Sequence, residues 1–235
     1  LAGNYPAILD DEVVGVQARA VFKDAQTMLK RMVTEQWVRA SAVFGLYSAK
    51  SVDEIIHIYA DESQTQELMQ WPTERQLMQK NNDKPNYALA DFVHSQNDYI
   101  GMFAVTTGLD VEARAKAYEA KGDDYNSIML KALADRLAEA FAEHLHARIR
   151  KDFWGYAPDE KFSNDELIKE RYQGIRPAPG YPACPAHEPK RDIFRLLAAA
   201  DIGMGLTESL AMTPAASVSG FYLAHPGALY FTATL

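Results

Sequence analysis

A proline-rich segment in the last third of the chain restricts the fold more than any other feature. Four of the eleven prolines lie in residues 176–185, which read Arg-Pro-Ala-Pro-Gly-Tyr-Pro-Ala-Cys-Pro. Each proline fixes its own φ angle, lacks an N–H group and favours an extended conformation in the preceding residue. Residues 176–185, called the strap below, are therefore predicted to form a rigid extended connection. The carbonyl groups of the strap need hydrogen-bond partners elsewhere.

Hydrophobic periodicity predicts both helices and short strands around the strap. Helical spacing and cap residues predict helices at about 11–35, 110–120, 124–153, 163–174 and 190–201. β-Branched and aromatic runs predict strands at 42–47, 55–59, 99–105, 217–223 and 229–234, with the last two forming a hairpin. The polar segment 61–86 is interpreted as irregular. In helix 124–153, an apolar stripe is expected to face the core: Leu130, Leu133, Leu137, Phe141, Leu145, Ile149 and Phe153.

The order of these elements indicates the fold class. Helices and strands are mixed without a regular β-α-β alternation, and no linker divides the chain. We therefore expect an α+β fold, in which residues 1–235 form a single domain with a twisted, mostly antiparallel sheet and flanking helices.

Composition and charge narrow the class of function. The 235 residues include 24 Lys and Arg against 32 Asp and Glu, a formal net charge of −8, which argues against nucleic-acid binding. No run approaches the roughly 18 apolar residues of a membrane span, so no membrane contact is expected. The single cysteine, Cys184, suits a reducing compartment, which predicts a cytoplasmic location. His144 and His146 lie two apart on a predicted helix and make a poor metal pair, so no metal site is expected.

Arg176, at the start of the strap, is the first candidate for ligand binding. A guanidinium held by rigid surroundings forms bidentate pairs with carboxylates, and the extended backbone beside it offers carbonyl acceptors. Together these groups suit a zwitterionic or adenine-bearing small ligand. Alternatively, Arg176 ties the strap to a carboxylate of the protein itself, and the residue pattern leaves both interpretations open.

An acidic row and an aromatic pair are the other candidates. Asp135, Glu139 and Glu143 lie at positions i, i+4 and i+8 of one helix, so the row either is solvated or binds a cation. Tyr230 and Phe231 either pack in the core or, because neighbouring strand residues face opposite ways, place one ring in a cleft.

At the strap the chain resembles a known family. The run from Arg176 through Gly180 and Tyr181 to Cys184 is similar to the signature of the C-terminal activation domain of cobalamin-dependent methionine synthase. Collinear motifs extend the resemblance over almost the whole chain, among them Asp11-Glu-Val-Val-Gly-Val, Tyr99-Ile-Gly-Met-Phe-Ala-Val-Thr, Leu206-Thr-Glu-Ser and Ala216-Ser-Val-Ser-Gly-Phe-Tyr.

The resemblance implies a function for the domain. In this family the cobalamin cofactor is occasionally oxidised to inactive cob(II)alamin, and the activation domain binds S-adenosylmethionine so that reductive methylation restores methylcobalamin. The expected partners are the cobalamin-binding domain of the same enzyme and an electron donor, either flavodoxin or a flavoprotein reductase. Cobalamin and zinc are expected only in other domains of this methyltransferase of methionine biosynthesis. The isolated domain is therefore expected to bind S-adenosylmethionine without turnover.

The resemblance also implies the binding residues, position by position. Arg176 matches the arginine that holds the methionyl carboxylate, and Glu139 matches an acid near the methionyl amino group. The other matched positions are the loop that wraps the ligand and the aromatic pair beside it: Ala178, Gly180, Tyr181, Tyr230 and Phe231. The family has an Asp-Trp-Thr-Pro segment upstream of Leu1, and its aspartate contacts the ligand. We therefore expect an N-terminally truncated fragment with weakened affinity for the ligand. No residue of the chain is expected to be catalytic, because the cobalt and the methyl acceptor lie in other domains.

A protein-docking module is the alternative function. His146, Arg148, Arg150 and Lys151 form a basic cluster at the end of the predicted helix 124–153. The cluster suits an acidic partner such as flavodoxin, or the cobalamin domain, but a solvated helix end has the same pattern.

Overall fold

Five strands form one antiparallel sheet in the computed structural model, which describes residues 3–77 and 85–233. Along the chain, the strands are β1 (Ser41–Val52), β2 (Ile55–Tyr59), β3 (Glu67–Pro72), β4 (Asp98–Thr106), β5 (Gly205–Leu206), β6 (Met212–Thr213) and β7 (Ser217–Tyr222). The five-stranded sheet has the order β3-β2-β1-β4-β7, while β5 and β6 pair separately. The prediction of an α+β fold with a mostly antiparallel sheet is confirmed.

Helices cover both faces of this sheet. They are α1 (Gly15–Thr34), α2 (Val111–Glu119), α3 (Asp124–Arg148), α4 (Asn164–Ile168) and α5 (Pro189–Leu196). The Asp123 side chain accepts a hydrogen bond from the Asn126 N–H at 3.1 Å, as expected for a residue that caps α3. A π-helical turn at Ile149–Phe153 continues α3. Among the described residues, no helix combines the length and the apolar composition that a membrane span requires.

The alternation of side chains along β4 explains how the core divides. Phe103 and Val105 of β4 face α3 and pack with Ala142, Leu145 and Ile149. Alternate residues of a strand face opposite sides, so Met102 and Ala104 enter the larger core on the other face. There the rings of Trp71 and Phe221 stack at 3.7 Å, and α5 covers the sheet. A third core lies between α1, α2 and α3.

The buried face of α3 differs from the predicted leucine stripe. Six residues spaced four apart are at most 1% exposed: Leu130, Ala134, Ala138, Ala142, His146 and Arg150. Leu133, Leu137 and Phe141 are only half-buried, and Phe153 is 46% exposed. The prediction is confirmed for Leu130, Leu145 and Ile149 and is wrong for Phe153, while the half-buried members pack at the edges of the cores. Small alanine side chains, rather than leucines, let the helix approach the sheet closely.

Three predicted segments also differ from the structure. The segment 61–86 contains β3, in which Met69 and Trp71 are buried and Gln70 is exposed, although residues 78–84 lie outside the described part. Residues 229–233 form no strand, so the predicted second half of the hairpin was wrong, and Thr234 lies outside the described residues. The helix predicted at 163–174 ends at Ile168. Single-segment periodicity does not reveal which strands find a partner.

Candidate functional site

A cavity of about 490 Å³ lies between α3, the edge of the sheet at β7, the strap and the C-terminal segment. The sheet contributes Phe103 and Val218, and α3 contributes Glu139. The other lining residues come from the end of α4, the strap and the C-terminal segment: Glu170, Arg176, Pro177, Ala178, Tyr181, Pro182, Ala183, Tyr230, Phe231 and Thr232. The structure thus brings together every sequence-predicted ligand residue except Gly180.

Backbone hydrogen bonds fasten the strap to the sheet. Just before the strap, Ile175 pairs with Leu223 through bonds of 2.9 and 3.0 Å. The Pro177 carbonyl accepts from the Phe221 N–H at 2.9 Å, and the Pro182 carbonyl accepts from the Ala233 N–H at 2.8 Å. These contacts supply the partners that the extended backbone requires. The carbonyl groups of Pro177 and Pro182, which were expected to be free to accept from a ligand, are therefore occupied.

Gly180 shapes the turn of the strap without lining the cavity. Its φ angle is +93°, a conformation that glycine adopts without strain. A Cβ atom at this position would lie 2.2 Å from Cε1 of His187. The Gly180 N–H donates to the Cys184 carbonyl at 2.8 Å, which closes the turn between Ala178 and Cys184.

A second glycine, Gly220 of β7, lets the strap lie close to the sheet. A Cβ atom on Gly220 would lie 2.6 Å from the Pro177 carbonyl oxygen and 3.1 Å from the Phe103 ring. Because the first of these is a hydrogen-bonded backbone atom, Gly220→Ala is expected to displace the strap and reduce the free energy of unfolding by about 1–3 kcal/mol. Urea denaturation measures the change.

Gly205→Ala is the matched control for Gly220→Ala. The nearest atom to a Cβ at Gly205 is Oγ1 of Thr213 at 3.1 Å, the end of a side chain that can rotate. The control is expected to change stability by less than about 1 kcal/mol. Equal stability of Gly220→Ala and the unmodified chain would contradict the close contact between strap and sheet.

Arg176 is held by four groups and keeps part of its guanidinium free. Its Nη1 donates to Glu143 Oε2 at 2.6 Å, to the Tyr172 hydroxyl at 3.3 Å and to His146 Nδ1 at 3.5 Å. Its backbone N–H donates to the Tyr230 hydroxyl at 2.9 Å. Within the described part of the chain, Nε and Nη2 make no hydrogen bond. Since the side chain is 19% exposed and lines the cavity, these donors remain for a ligand.

Burial and neighbouring charges shift the pKa values of several groups around the cavity. Burial acts to lower the pKa of Arg176, but Tyr172, Glu143 and Tyr230 outweigh it and raise the pKa above the ordinary range. Burial raises the pKa of Tyr230, so its hydroxyl stays protonated. Partial burial likewise raises the pKa of Glu170, against an opposing effect of Arg176. Arg176 therefore remains a cation, in a cavity whose lining also contains the carboxyl groups of Glu139 and Glu170.

The acidic row of α3 divides into three different environments. Glu143 forms the ion pair with Arg176, so the interpretation in which this arginine ties the strap to the protein is correct for Nη1. Glu139 is exposed in the cavity lining and has no ion pair among the described residues. Asp135, one turn earlier, is exposed and does not line the cavity.

The comparisons with known proteins agree with this architecture. A family model described as the vitamin B12 dependent methionine synthase, activation domain, matches residues 1–235. The chain belongs to this family. A crystal structure of the MetH reactivation domain bound to AdoHcy has 55% sequence identity to the chain and a TM-score of 0.93. The similarity covers 99% of this chain and 73% of that one.

Within this activation domain, Glu170 is a cavity residue that sequence reasoning missed. It lies just beyond α4 with a φ angle of +51°, in the left-handed region. Glu170 falls inside the predicted helix 163–174, where nothing in the sequence distinguishes it from a solvated acid. Thr232 was missed because residues 229–234 were interpreted as a strand.

The predicted basic docking cluster is not a continuous surface of the activation domain. Arg150 is 0% exposed and pairs with Glu160 through two hydrogen bonds of 2.7 Å, and His146 is also 0% exposed. Arg148 is exposed but is paired with Asp152. The assignment of Arg150 to docking was therefore wrong, because the π-helical turn after α3 places its side chain inside the protein, against Glu160 and Tyr172. Arg148 and Lys151 remain at the surface.

The described part of the domain shows neither a cluster of metal-binding side chains nor a cysteine with a lowered pKa. No group of three or more His, Cys, Asp or Glu side chains there is arranged to hold a metal ion. Burial raises the pKa of the Cys184 thiol to about 11, so the thiol is protonated at neutral pH.

Proposed function

We propose that this activation domain binds S-adenosylmethionine in the cavity beneath the strap and so supports the reductive methylation of cob(II)alamin to methylcobalamin. The observation that carries the proposal is that one cavity contains both Arg176, with free guanidinium donors, and the unpaired carboxylate of Glu139. The methionyl group of S-adenosylmethionine is a zwitterion, which needs both charges. AdoHcy, bound in the similar crystal structure, is the same compound without the transferred methyl group.

The size and walls of the cavity also support this ligand. Small-molecule sites commonly have volumes of about 300–1,000 Å³, apolar walls and a few polar groups that fix orientation. Here the volume is about 490 Å³, and Phe103, Val218 and Phe231 contribute apolar surface. In the proposed complex, the aromatic pair Tyr230 and Phe231 and the strap residues Ala178 and Tyr181 surround the adenosyl group.

The proposed role of the domain is to bind and orient one substrate, S-adenosylmethionine. S-Adenosylmethionine supplies the methyl group, and the acceptor belongs to the cobalamin domain, with which this domain forms one enzyme. We propose that the chain alone binds the ligand without turnover. The role of Gly180 in the proposed site is to shape the strap.

The electron donor and the location in the cell are two further parts of the proposal. Flavodoxin or a flavoprotein reductase is proposed as the donor because of the family to which the chain belongs. Arg148 and Lys151 are exposed and suit an acidic partner. A cytoplasmic location is supported by the single free cysteine. Docking is not proposed as the main function, because burial of Arg150 removes part of the cluster.

Calorimetric titration of the chain with S-adenosylmethionine tests the proposed function. Saturable binding is expected, and Glu139→Gln is expected to weaken it about 5- to 10-fold, since the ammonium group loses a charged acceptor. Asp135→Asn is the matched control, because Asp135 lies one helical turn away and outside the cavity lining. The control is expected to bind within about 2-fold of the unmodified chain. No saturable binding by the unmodified chain would reject the proposal.

A further inference from the structure

The floor of the Arg176 site contains a buried histidine that the proposed function does not use. His146 of α3 is 0% exposed, and its Nδ1 lies 3.5 Å from Arg176 Nη1. An arginine donates hydrogen bonds and has no acceptor, so this contact needs the lone pair of Nδ1 and places the ring proton on Nε2, which is buried and has no hydrogen-bond partner among the described residues. The contact therefore requires one neutral tautomer of His146.

Packing fixes the plane of the His146 ring. The ring stacks on Tyr222, with centroids 4.9 Å apart and planes inclined by 16°. It meets the Tyr172 ring edge to face at 5.0 Å. Because both neighbours hold the ring, the direction of the Nδ1 lone pair is set by the core of the domain. Rotation of the ring is blocked from two sides.

The charge environment maintains the acceptor form. Burial, followed by the nearby cations Arg150 and Arg176, keeps the pKa of His146 well below its ordinary value. Protonation would place a third cation beside those two guanidinium groups and remove the acceptor. Glu143 and Tyr172 accept from the same Nη1 atom, so three acceptors share its two N–H bonds. This arrangement holds Nη1 and leaves Nε and Nη2 without a hydrogen bond to the described residues, on a side chain that lines the cavity.

We infer that His146 is a positioning residue that fixes the orientation of Arg176 for the carboxylate of the ligand. The inference rests on the proposed function, because it concerns how the same cavity recognises S-adenosylmethionine. His146 touches Arg176 and does not line the cavity. Its effect must therefore depend on the ligand having a carboxylate. A residue that only stabilises the fold would affect all ligands of the cavity alike.

Two ligands and a matched pair of substitutions separate these roles. S-Adenosylmethionine is compared with decarboxylated S-adenosylmethionine, which keeps the adenosyl, sulfonium and amino groups. His146→Asn retains an acceptor oxygen near the position of Nδ1, whereas His146→Leu has nearly the same size and no acceptor. The ratio of the two dissociation constants, measured by calorimetry on the full 235-residue chain, reports carboxylate selectivity. Circular dichroism checks that both variants fold.

The expected result is a loss of selectivity in one variant alone. His146→Leu should reduce the preference for S-adenosylmethionine by about 5- to 10-fold, and His146→Asn should stay within about 2-fold of the unmodified chain. If His146→Leu does not fold, His146→Gln replaces it, since its amide extends to the position of Nε2, and the same loss is expected. Unchanged selectivity, or equal weakening of both ligands in both variants, would overturn the inference.

A separate control distinguishes this inference from the proposed function. Arg176→Ala should abolish the preference for the carboxylate in the same assay. If it does so while His146→Leu keeps full selectivity, the binding proposal stands and the positioning role fails. If the unmodified chain binds neither ligand, the binding proposal itself fails.

Discussion

Arg176→Ala is expected to weaken the binding of S-adenosylmethionine by at least about 30-fold, which is the largest effect among the substitutions in the cavity. Loss of one partner from a buried, hydrogen-bonded charge pair costs about 2–5 kcal/mol, or about 30-fold to several thousand-fold in affinity. Arg176 is 19% exposed, pairs with Glu143 through Nη1 and lines the cavity proposed for the ligand. Calorimetric titration measures the affinity.

The stability of the variant needs a control, because Arg176→Ala leaves Glu143 without its partner. The double variant Arg176→Ala with Glu143→Gln removes the uncompensated charge and is expected to recover stability without recovering affinity. Arg176→Lys keeps the charge but lacks the planar fork, so intermediate affinity is expected. Binding of S-adenosylmethionine by Arg176→Ala within 3-fold of the unmodified chain would remove Arg176 from the site.

Arg150→Ala is expected to reduce the free energy of unfolding by about 3–5 kcal/mol, the largest stability effect among the predictions. Arg150 is 0% exposed and its partner Glu160 is 5% exposed, so the substitution leaves a buried carboxylate without a counterion. The guanidinium also lies over the Tyr172 ring at 3.9 Å. Chemical denaturation in urea gives the change in stability.

Two further variants isolate the buried pair. Arg148→Ala, two residues away on the exposed side, should change stability by less than about 1 kcal/mol. The double variant Arg150→Met with Glu160→Leu should recover most of the loss, since apolar side chains of similar volume replace the pair. If Arg150→Ala and Arg148→Ala had the same small effect, Arg150 would behave as a surface residue, and the structural assignment would be wrong.

Local sequence patterns predicted the positions of most elements correctly. Apolar spacing and cap residues located α1, α2 and α3, and the predicted helix 190–201 corresponds to α5, which already ends at Leu196. Strands β1, β2, β4 and β7 contain β-branched and aromatic runs, which predict a strand even when the neighbouring strand is not known. These signals are local, because they arise from backbone preferences and from one buried face per element. Strand β3 also has alternating burial, but its polar neighbours concealed the pattern.

The candidate site was predicted through the strap and its resemblance to a family. The residues alone left open whether Arg176 binds a ligand or ties the strap to the protein. In the structure, Nη1 pairs with Glu143 while Nε and Nη2 remain free, so the side chain has room for both roles. This division depends on how α3 and the strap approach each other. No spacing within either segment contains that information.

The sequence by itself determined that the chain forms an α+β fold with a rigid proline strap, and that it resembles one family throughout its length. Only the tertiary structure decided which polar residues of α3 and of the π-helical turn after it face inward. His146 and Arg150 continue a series of small buried residues at intervals of four, yet charged and polar side chains are ordinarily interpreted as exposed. Their burial is stabilised by partners distant in sequence or on other elements, namely Arg176, Glu160 and Tyr222. Such compensation is a property of the packed molecule, because a buried charge is tolerated only where folding places its counterion beside it.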